Sequence, residues 1–309
     1  WRDTGNVLEP FYKKGNRLTD AQVEELAALC EAGNIFVARS DQEIYKHHML
    51  RQVDLVLQDP HFTEAEVAEL CIAALIMRYK EYYEQPVGDY LELLFRDAMV
   101  VTEYLWADKH RITPFMRRFF RVAKPARHAV NTMIAGMWIW LQMTEDYTRK
   151  DLDRTLIALL LHDVGMCKIP EFLLAKRTRL TPEDMEKVMQ HPIKSVRLMQ
   201  KSDLKFDELI RACFEHHERL DGSGYPQRSR GAQISAVGKL TAVADSFAAM
   251  ICERSYAHAK DPLQACEELV KDARYDGTLA GILKIAFVAG GVAADPVNMD
   301  ERLLTLYHD

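Results

Sequence analysis

Five of the eleven histidines in this chain stand in four short phrases: Arg127-His128-Ala129, Leu161-His162-Asp163-Val164-Gly165, His191-Pro192 and Glu215-His216-His217-Glu218. A later acid follows in Ala244-Asp245-Ser246. Imidazole and carboxylate together are the vocabulary of a transition-metal centre. The phrases are spread over more than a hundred residues, from Arg127 to Ser246, so a fold that uses them must gather distant segments around one point.

The bulk numbers set the frame for such a fold. A chain of 309 residues exceeds the usual single-domain size, so two domains are expected, each able to bury a core. Hydrophobic residues at 48% and charged residues at 28% fit a soluble globular protein. A net charge of −6 gives no electrostatic case for a nucleic-acid polymer as partner. Six cysteines without a C-x-x-C pair read as reduced, mostly buried thiols, and a cytoplasmic location follows. The longest apolar runs, near 130–143 and 279–294, are too short for a membrane span and read as buried helices. The chain opens at Trp1 rather than at a methionine, which leaves room for a preceding segment.

Helix starts recur along the chain. Thr19 with Gln22, Thr63 with Glu66, and Thr181 with Asp184 each place a capping hydroxyl three residues before a side chain able to reach back. Apolar residues Val67, Leu70, Cys71, Ala74 and Leu75 keep helical spacing, as do Leu156, Leu159 and Leu160 just before His162. The expected fold class is all-α: a C-terminal helical bundle behind a smaller, mainly helical N-terminal domain. One exception is expected at Asn34-Ile35-Phe36-Val37-Ala38, either a strand or a buried turn. The boundary is placed near 115, just before the basic stretch from Met116 to Arg121, giving domains 1–115 and 116–309. Arg117, Arg118 and Arg121 are expected on a solvated helix face, and Trp138 and Trp140 in the core. His47, His48, His61, His110 and His308 match no ligand pattern and are read as surface or capping residues.

A His-Asp pair at the end of an apolar helix lets an imidazole nitrogen and one carboxylate oxygen meet a cation while the second oxygen reaches a neighbouring cation. Asp163 is the natural bridge. Imidazoles with carboxylates suit iron, manganese, zinc or nickel better than calcium or magnesium. The lack of cysteine ligands speaks against structural zinc. Five histidines and two acids supply about enough donors for two metals with positions left for water. Two cations roughly 3.5–4 Å apart can share a bridging hydroxide, polarise a phosphoryl oxygen and steady a leaving oxygen, so phosphoester hydrolysis is the expected reaction. The metals' charge of about +4, set against two carboxylates and a hydroxide, leaves the centre near +1 in an acidic protein. The loop Asp221-Gly222-Ser223-Gly224-Tyr225-Pro226 follows the histidine pair, with two glycines free to take positive φ and a stiff Tyr-Pro end. It can wall the site, with Tyr225 stacking on a base or bonding a phosphate.

The ordered phrases His162-Asp163-Val164-Gly165, Ile169-Pro170, His191-Pro192, His216-His217-Glu218-Arg219, Asp221 to Pro226 and Ala244-Asp245 resemble the HD-GYP family of bacterial phosphodiesterases. The resemblance covers roughly residues 120–295. It implies an all-helical HD-type domain that hydrolyses cyclic di-GMP to linear pGpG or on to GMP. Carried over residue by residue, it implies one metal on His128, His162, Asp163 and Asp245 and another on Asp163, His191, His216 and His217. Iron or manganese are the implied metals, with zinc or nickel also accepted. Asp163 and His162 become the expected catalytic pair, and Tyr225, Gly224, Arg254 and Lys168 the expected substrate contacts.

The chain departs from that family's pattern in several places. Met166 replaces the lysine of His-Asp-x-Gly-Lys, with Lys168 two residues on. Ala248 to Cys252 replaces Asp-Ala-Leu-Thr-Ser, and Ala257, followed by His258, stands where a basic residue is usual. Losing two phosphate-contacting cations at about 1.5–3 kcal/mol each weakens substrate binding by tens of fold or more. Lys124 occupies the position from which some members offer a glutamate to a third metal, and its ammonium would repel one. Two metals are therefore expected. These departures motivate a second reading, a weakly active or inactive cyclic-dinucleotide sensor; hydrolysis of another nucleotide phosphoester is a third. The N-terminal part is read as a sensory or interaction module for a signalling partner, and a homodimer is the default assembly.

Overall fold

The threonine caps do what their spacing asks. Thr19, Thr63 and Thr181 each accept from the backbone N–H three residues on, and the side chains of Gln22, Glu66 and Asp184 reach back to close the box. Thr148 and Asp151 form a fourth such box. The computed structural model describes residues 1–5, 7–11, 17–38, 41, 45, 48–176, 178–254 and 257–300. His47, His308, Ser255 and Tyr256 lie outside the described residues.

The described elements run β1 (Arg2–Asp3), β2 (Leu8–Glu9), α1 (Asp20–Glu31), α2 (Val53–Gln58), α3 (Glu64–Glu84), α4 (Gly88–Ala107), α5 (Thr113–Met116), α6 (Pro125–Met143), α7 (Arg149–Leu161), α8 (Glu171–Leu174), α9 (Pro182–Val188), α10 (His191–Gln200), α11 (Asp207–Glu215), α12 (Ala236–Met250), α13 (Pro262–Lys271) and α14 (Gly277–Ile285). A 3₁₀ turn, Val164–Lys168, joins α7 to α8. The fold is all-α apart from the small antiparallel pair β1–β2. Among the described residues no helix is long and apolar enough to cross a membrane.

The central helix is α6. Pro125 starts it at a position that needs no N–H donor, and Ala129 to Ile139 are buried without interruption. A helix apolar on every side has to be surrounded, and α6 packs against α3, α7, α12 and α14. Helix α11 in turn packs on α7, α10 and α12, and α4 packs on both α3 and α7. One hydrophobic cluster runs from Met49 to Met299, so the core is continuous through residue 115.

Two expectations are corrected here. Residues 34–38 form neither a strand nor a buried turn. Ile35 makes a single bridge to Arg2, and Phe36 and Val37 are exposed, because only the edge of a two-residue strand is available to pair with. The arginines 117, 118 and 121 do not lie on a solvated helix face. Arg118 is buried and pairs with Glu69 at 3.0 Å, while Arg121 donates from Nη1 to the carbonyls of Ile251 and Lys260. Arg117 is exposed, yet it too is engaged, donating to the Asp295 carbonyl at 3.1 Å. Helix α5 stops at Met116, so these guanidiniums bond acceptors around the following loop and on the segments packed against it.

Candidate metal centre

Helix ends bring the ligating phrases together. His162 caps the C-terminus of α7, His216 caps α11, His191 opens α10, His128 lies in the first turns of α6 and Asp245 sits inside α12. At three of these positions the ring bonds its own chain. The Nδ1 of His162 lies 2.8 Å from the Leu159 carbonyl, that of His191 2.7 Å from Val188, and that of His216 3.0 Å from Ala212. A carbonyl only accepts, so Nδ1 carries the proton, and in the neutral ring Nε2 is left as a lone pair. The bond to the carbonyl thus fixes the tautomer and aims each Nε2 inward.

These inward atoms converge in two groups. The ligating atoms of His191, His216 and His217 all lie within 4.8 Å of one another, as do those of His128, His162 and Asp245. The groups adjoin, with the His162 and His216 rings 5.0 Å apart. Asp163 lies at the junction, its Oδ1 3.2 Å from His191 Nε2. His191 Nε2 and His216 Nε2 are only 3.1 Å apart, two lone pairs face to face. Among the described residues the buried Nε2 of His162 and Oδ1 of Asp163 have no hydrogen-bond partner. Buried acceptors arranged against acceptors are unfavourable unless a proton or a cation lies among them.

Electrostatics agree with a donor set ready for a cation. Burial drives the His216 and His217 rings well below the usual histidine value, and the neighbouring histidines push His216 further, so both are neutral. Burial opposes ionisation of Asp245, yet contacts with His128, at 2.9 Å, and His162 outweigh it and hold the carboxyl well below its ordinary range. His162 is raised instead: burial pushes it down, but Asp245 and Asp163 more than compensate. Neutral imidazoles and ionised carboxylates are the forms that bind divalent metals, so these residues fit the expected group.

The signature loop is built against this centre. Gly224 is buried, and a Cβ there would come within 2.4 Å of the His217 carbonyl and 2.5 Å of Arg219 N and Glu218 Cα. Only glycine lets the loop lie that close. Gly222 has φ +79°, a conformation that glycine takes without strain. Tyr225 then stacks on the His217 ring at 4.7 Å, and burial followed by the Asp245 and Asp163 charges raises its hydroxyl pKa, keeping it a donor. Gly165 is equally constrained: a Cβ would meet the His191 carbonyl and Ser195 N at 2.3 Å, and its own N–H donates to Ser195 Oγ.

The remaining expected contacts differ. Met166 is half-buried in the 3₁₀ turn, and Lys168 at its end is exposed, with its carbonyl accepting from Lys194 Nζ. Arg254 pairs through its backbone with Ala257, and its Nε is buried. The His258 ring is fully exposed and bonds Glu253. Lys124 is the exposed N-cap of α6, its carbonyl accepting from His128 N, so it lies one turn ahead of His128. Sequence reasoning overlooked Glu218 and Arg219. Glu218 is buried, and its carboxylate accepts from Gln227 N at 2.6 Å and Ser229 N at 2.9 Å, tying down the far side of the loop. Their charges stood in plain view beside the histidine pair, but a role for them needs the tertiary partners.

This bundle and its converging histidines and acids define a class. Residues 119–279, just over half of the chain, match the HD domain family model, and the chain belongs to that family. It is 39% identical over 110 residues to a cyclic di-GMP phosphodiesterase of Thermotoga maritima, covering 35% of this chain and 30% of that one. It is 32% identical over 147 residues to cyclic di-GMP phosphodiesterase PA4108 of Pseudomonas aeruginosa, covering 48% and 34%. A third relative, 3'3'-cGAMP-specific phosphodiesterase 2 of Vibrio cholerae, is 35% identical over 111 residues, covering 36% and 21%. The chain thus spans about a third or less of the length of these curated relatives. Among solved structures, Bd1817, an HDG"Y"P protein from Bdellovibrio bacteriovorus, shares the fold with a TM-score of 0.62, 16% identity and 80% coverage of each chain.

Proposed function

We propose that this chain is a metal-dependent phosphodiesterase that opens cyclic di-GMP to linear pGpG, with GMP as a further product. The observation that carries the reading is the convergence of five imidazoles with two carboxylates in adjoining groups. His128, His162 and Asp245 would hold one cation, His191, His216 and His217 the other, and Asp163 would reach both. Two divalent cations there, iron or manganese by preference, would supply Lewis acidity toward the phosphoryl oxygens and activate a water. The chain's own residues do the rest. The carbonyls of Leu159, Val188 and Ala212 fix the imidazoles, Asp245 holds His128, and the Gly224–Tyr225 loop shields the centre and offers a ring and a hydroxyl to the nucleotide. The names of the relatives support a cyclic dinucleotide as substrate, both cyclic di-GMP and 3'3'-cGAMP. Residues 1–115 fit a regulatory module whose helices α3 and α4 pack directly on the catalytic bundle.

A second reading, binding without turnover, is favoured by one observation. The half-buried Met166 thioether occupies the place of a cation beside the ligands. The test is anaerobic loading with manganese or iron, elemental analysis, and chromatography after incubation with cyclic di-GMP and, separately, 3'3'-cGAMP. Linear product that needs metal and disappears in Asp163→Ala supports the enzyme. Intact nucleotide bound beside a filled centre replaces it with the sensor.

A further inference from the structure

Arg219 stands two residues after the paired histidines, and its guanidinium folds back onto the turn that carries them. Nη1 donates to the carbonyls of His216, at 3.1 Å, and Glu218, at 2.8 Å, the two carbonyls that flank His217 in the chain. Nη2 reaches Ser246 Oγ at 3.4 Å, on the residue after Asp245 in α12. The guanidinium carbon lies 4.5 Å from the Tyr275 ring centroid, and Ser246 donates its hydroxyl to Tyr275 at 2.9 Å. The residue that follows is held as well, since Leu220 N donates to the Arg274 carbonyl at 3.0 Å. One half-buried cation thus joins three segments: the turn that carries His216 and His217, the helix that carries Asp245, and the loop before α14.

His216 and His217 belong to one ligating group and Asp245 to the other. We infer that Arg219 is a positioning residue that sets the separation between the two groups, and so the spacing at which two cations are held. The inference rests on the two-cation reading given above. The geometry suits arginine specifically. Its planar fork can engage the turn's carbonyls and Ser246 at once while its face lies on Tyr275, whereas a lysine ammonium lacks the fork and the flat face. Loss of such an outer support typically lowers metal affinity on the order of 10–100-fold.

The experiment uses the full chain, stripped and reloaded with manganese. Metal content, manganese affinity and the electron paramagnetic resonance spectrum are compared for the wild type, Arg219→Ala, Arg219→Lys and Ser246→Ala. The wild type should hold about two ions per chain with the spectrum of an interacting pair. Arg219→Ala should bind the second ion tens of fold more weakly and lose the pair signal, and Arg219→Lys should recover part of the affinity. Ser246→Ala removes only the tie to α12, so it should keep both ions and alter their interaction; it carries the test should Arg219→Ala not fold. A wild type with two ions, and variants with the same affinity and pair spectrum, would overturn the positioning role alone. A wild type that binds no metal overturns the two-cation reading and this inference with it.

Discussion

Adding a single methyl at Gly224 should separate the signature loop from the histidine turn. In Gly224→Ala the new carbon would lie 2.4 Å from the His217 carbonyl oxygen and 2.5 Å from Arg219 N and Glu218 Cα. That is roughly 1 Å inside ordinary contact, and every obstacle is backbone, so no side chain can swing away to relieve it. The loop must move outward by about that distance. Overpacking of this kind costs about 1–3 kcal/mol. The movement also stretches the Glu218 bonds to Gln227 and Ser229 and unstacks Tyr225 from His217. The matched control is Gly281→Ala in α14, where nothing lies within 4 Å of the added carbon and helix propensity should give a gain of about 0.5–1 kcal/mol. Urea unfolding of the two variants, with metal content measured beside it, reads the difference directly. The expected order is Gly281→Ala, wild type, Gly224→Ala, with cyclic di-GMP binding weakened only in the last. A Gly224→Ala protein as stable as the wild type and as good a binder would refute the close approach of loop and turn.

Further outcomes follow from the same geometry. Met166→Lys should restore a cation beside the ligands and tighten cyclic di-GMP binding about tenfold, the equivalent of one charged hydrogen bond near 1.5 kcal/mol; titration calorimetry showing no gain would remove Met166 from the account of weak binding. Glu69→Ala leaves Arg118 buried without its main carboxylate and should cost about 3–5 kcal/mol in denaturant unfolding, where a loss below about 1 would show the pair to be dispensable. The metal-free protein should lose stability as pH falls from about 7 to about 5. The sign follows from His216 and His217: their depressed folded values mean that the unfolded chain takes up protons below about 6.5 and the folded one does not, which outweighs the opposite contribution of His162, whose ring is raised. A melting temperature that rises on acidification would contradict it. Manganese at a hundred times its dissociation constant should add about 2.7 kcal/mol of stability, removable by chelation.

What the sequence made legible was mostly local. A capping box spans four residues, so Thr63 and Glu66 announce the start of α3 without knowledge of the rest of the molecule. The histidine phrases were legible for another reason, since they occur in order together with the loop Asp221 to Pro226 and a later acid, and no single pair would have stood out. What stayed hidden depends on partners far along the chain. Arg118 finds Glu69 forty-nine residues away, and neither side chain signals the other. Arg219 sits beside a known motif, but its partners Ser246 and Tyr275 arrive from two later segments. The run Asn34 to Ala38 has the composition of a strand, and it is left with one bridge because pairing needs a neighbouring edge that β1 is too short to provide.

The uninterrupted core from Met49 to Met299 bears on how such a protein can be taken apart. Chain position suggests that a catalytic piece beginning at 116 could be fused behind any other input module. The packing argues for a different cut, because α3 presses on α6 and α4 on α7, and Arg118 would lose Glu69 with them. A transplant that keeps the bundle intact has to carry the chain from about Met49 onward, and an input arriving through α3 or α4 is already in physical contact with the helices that bear His128 and His162.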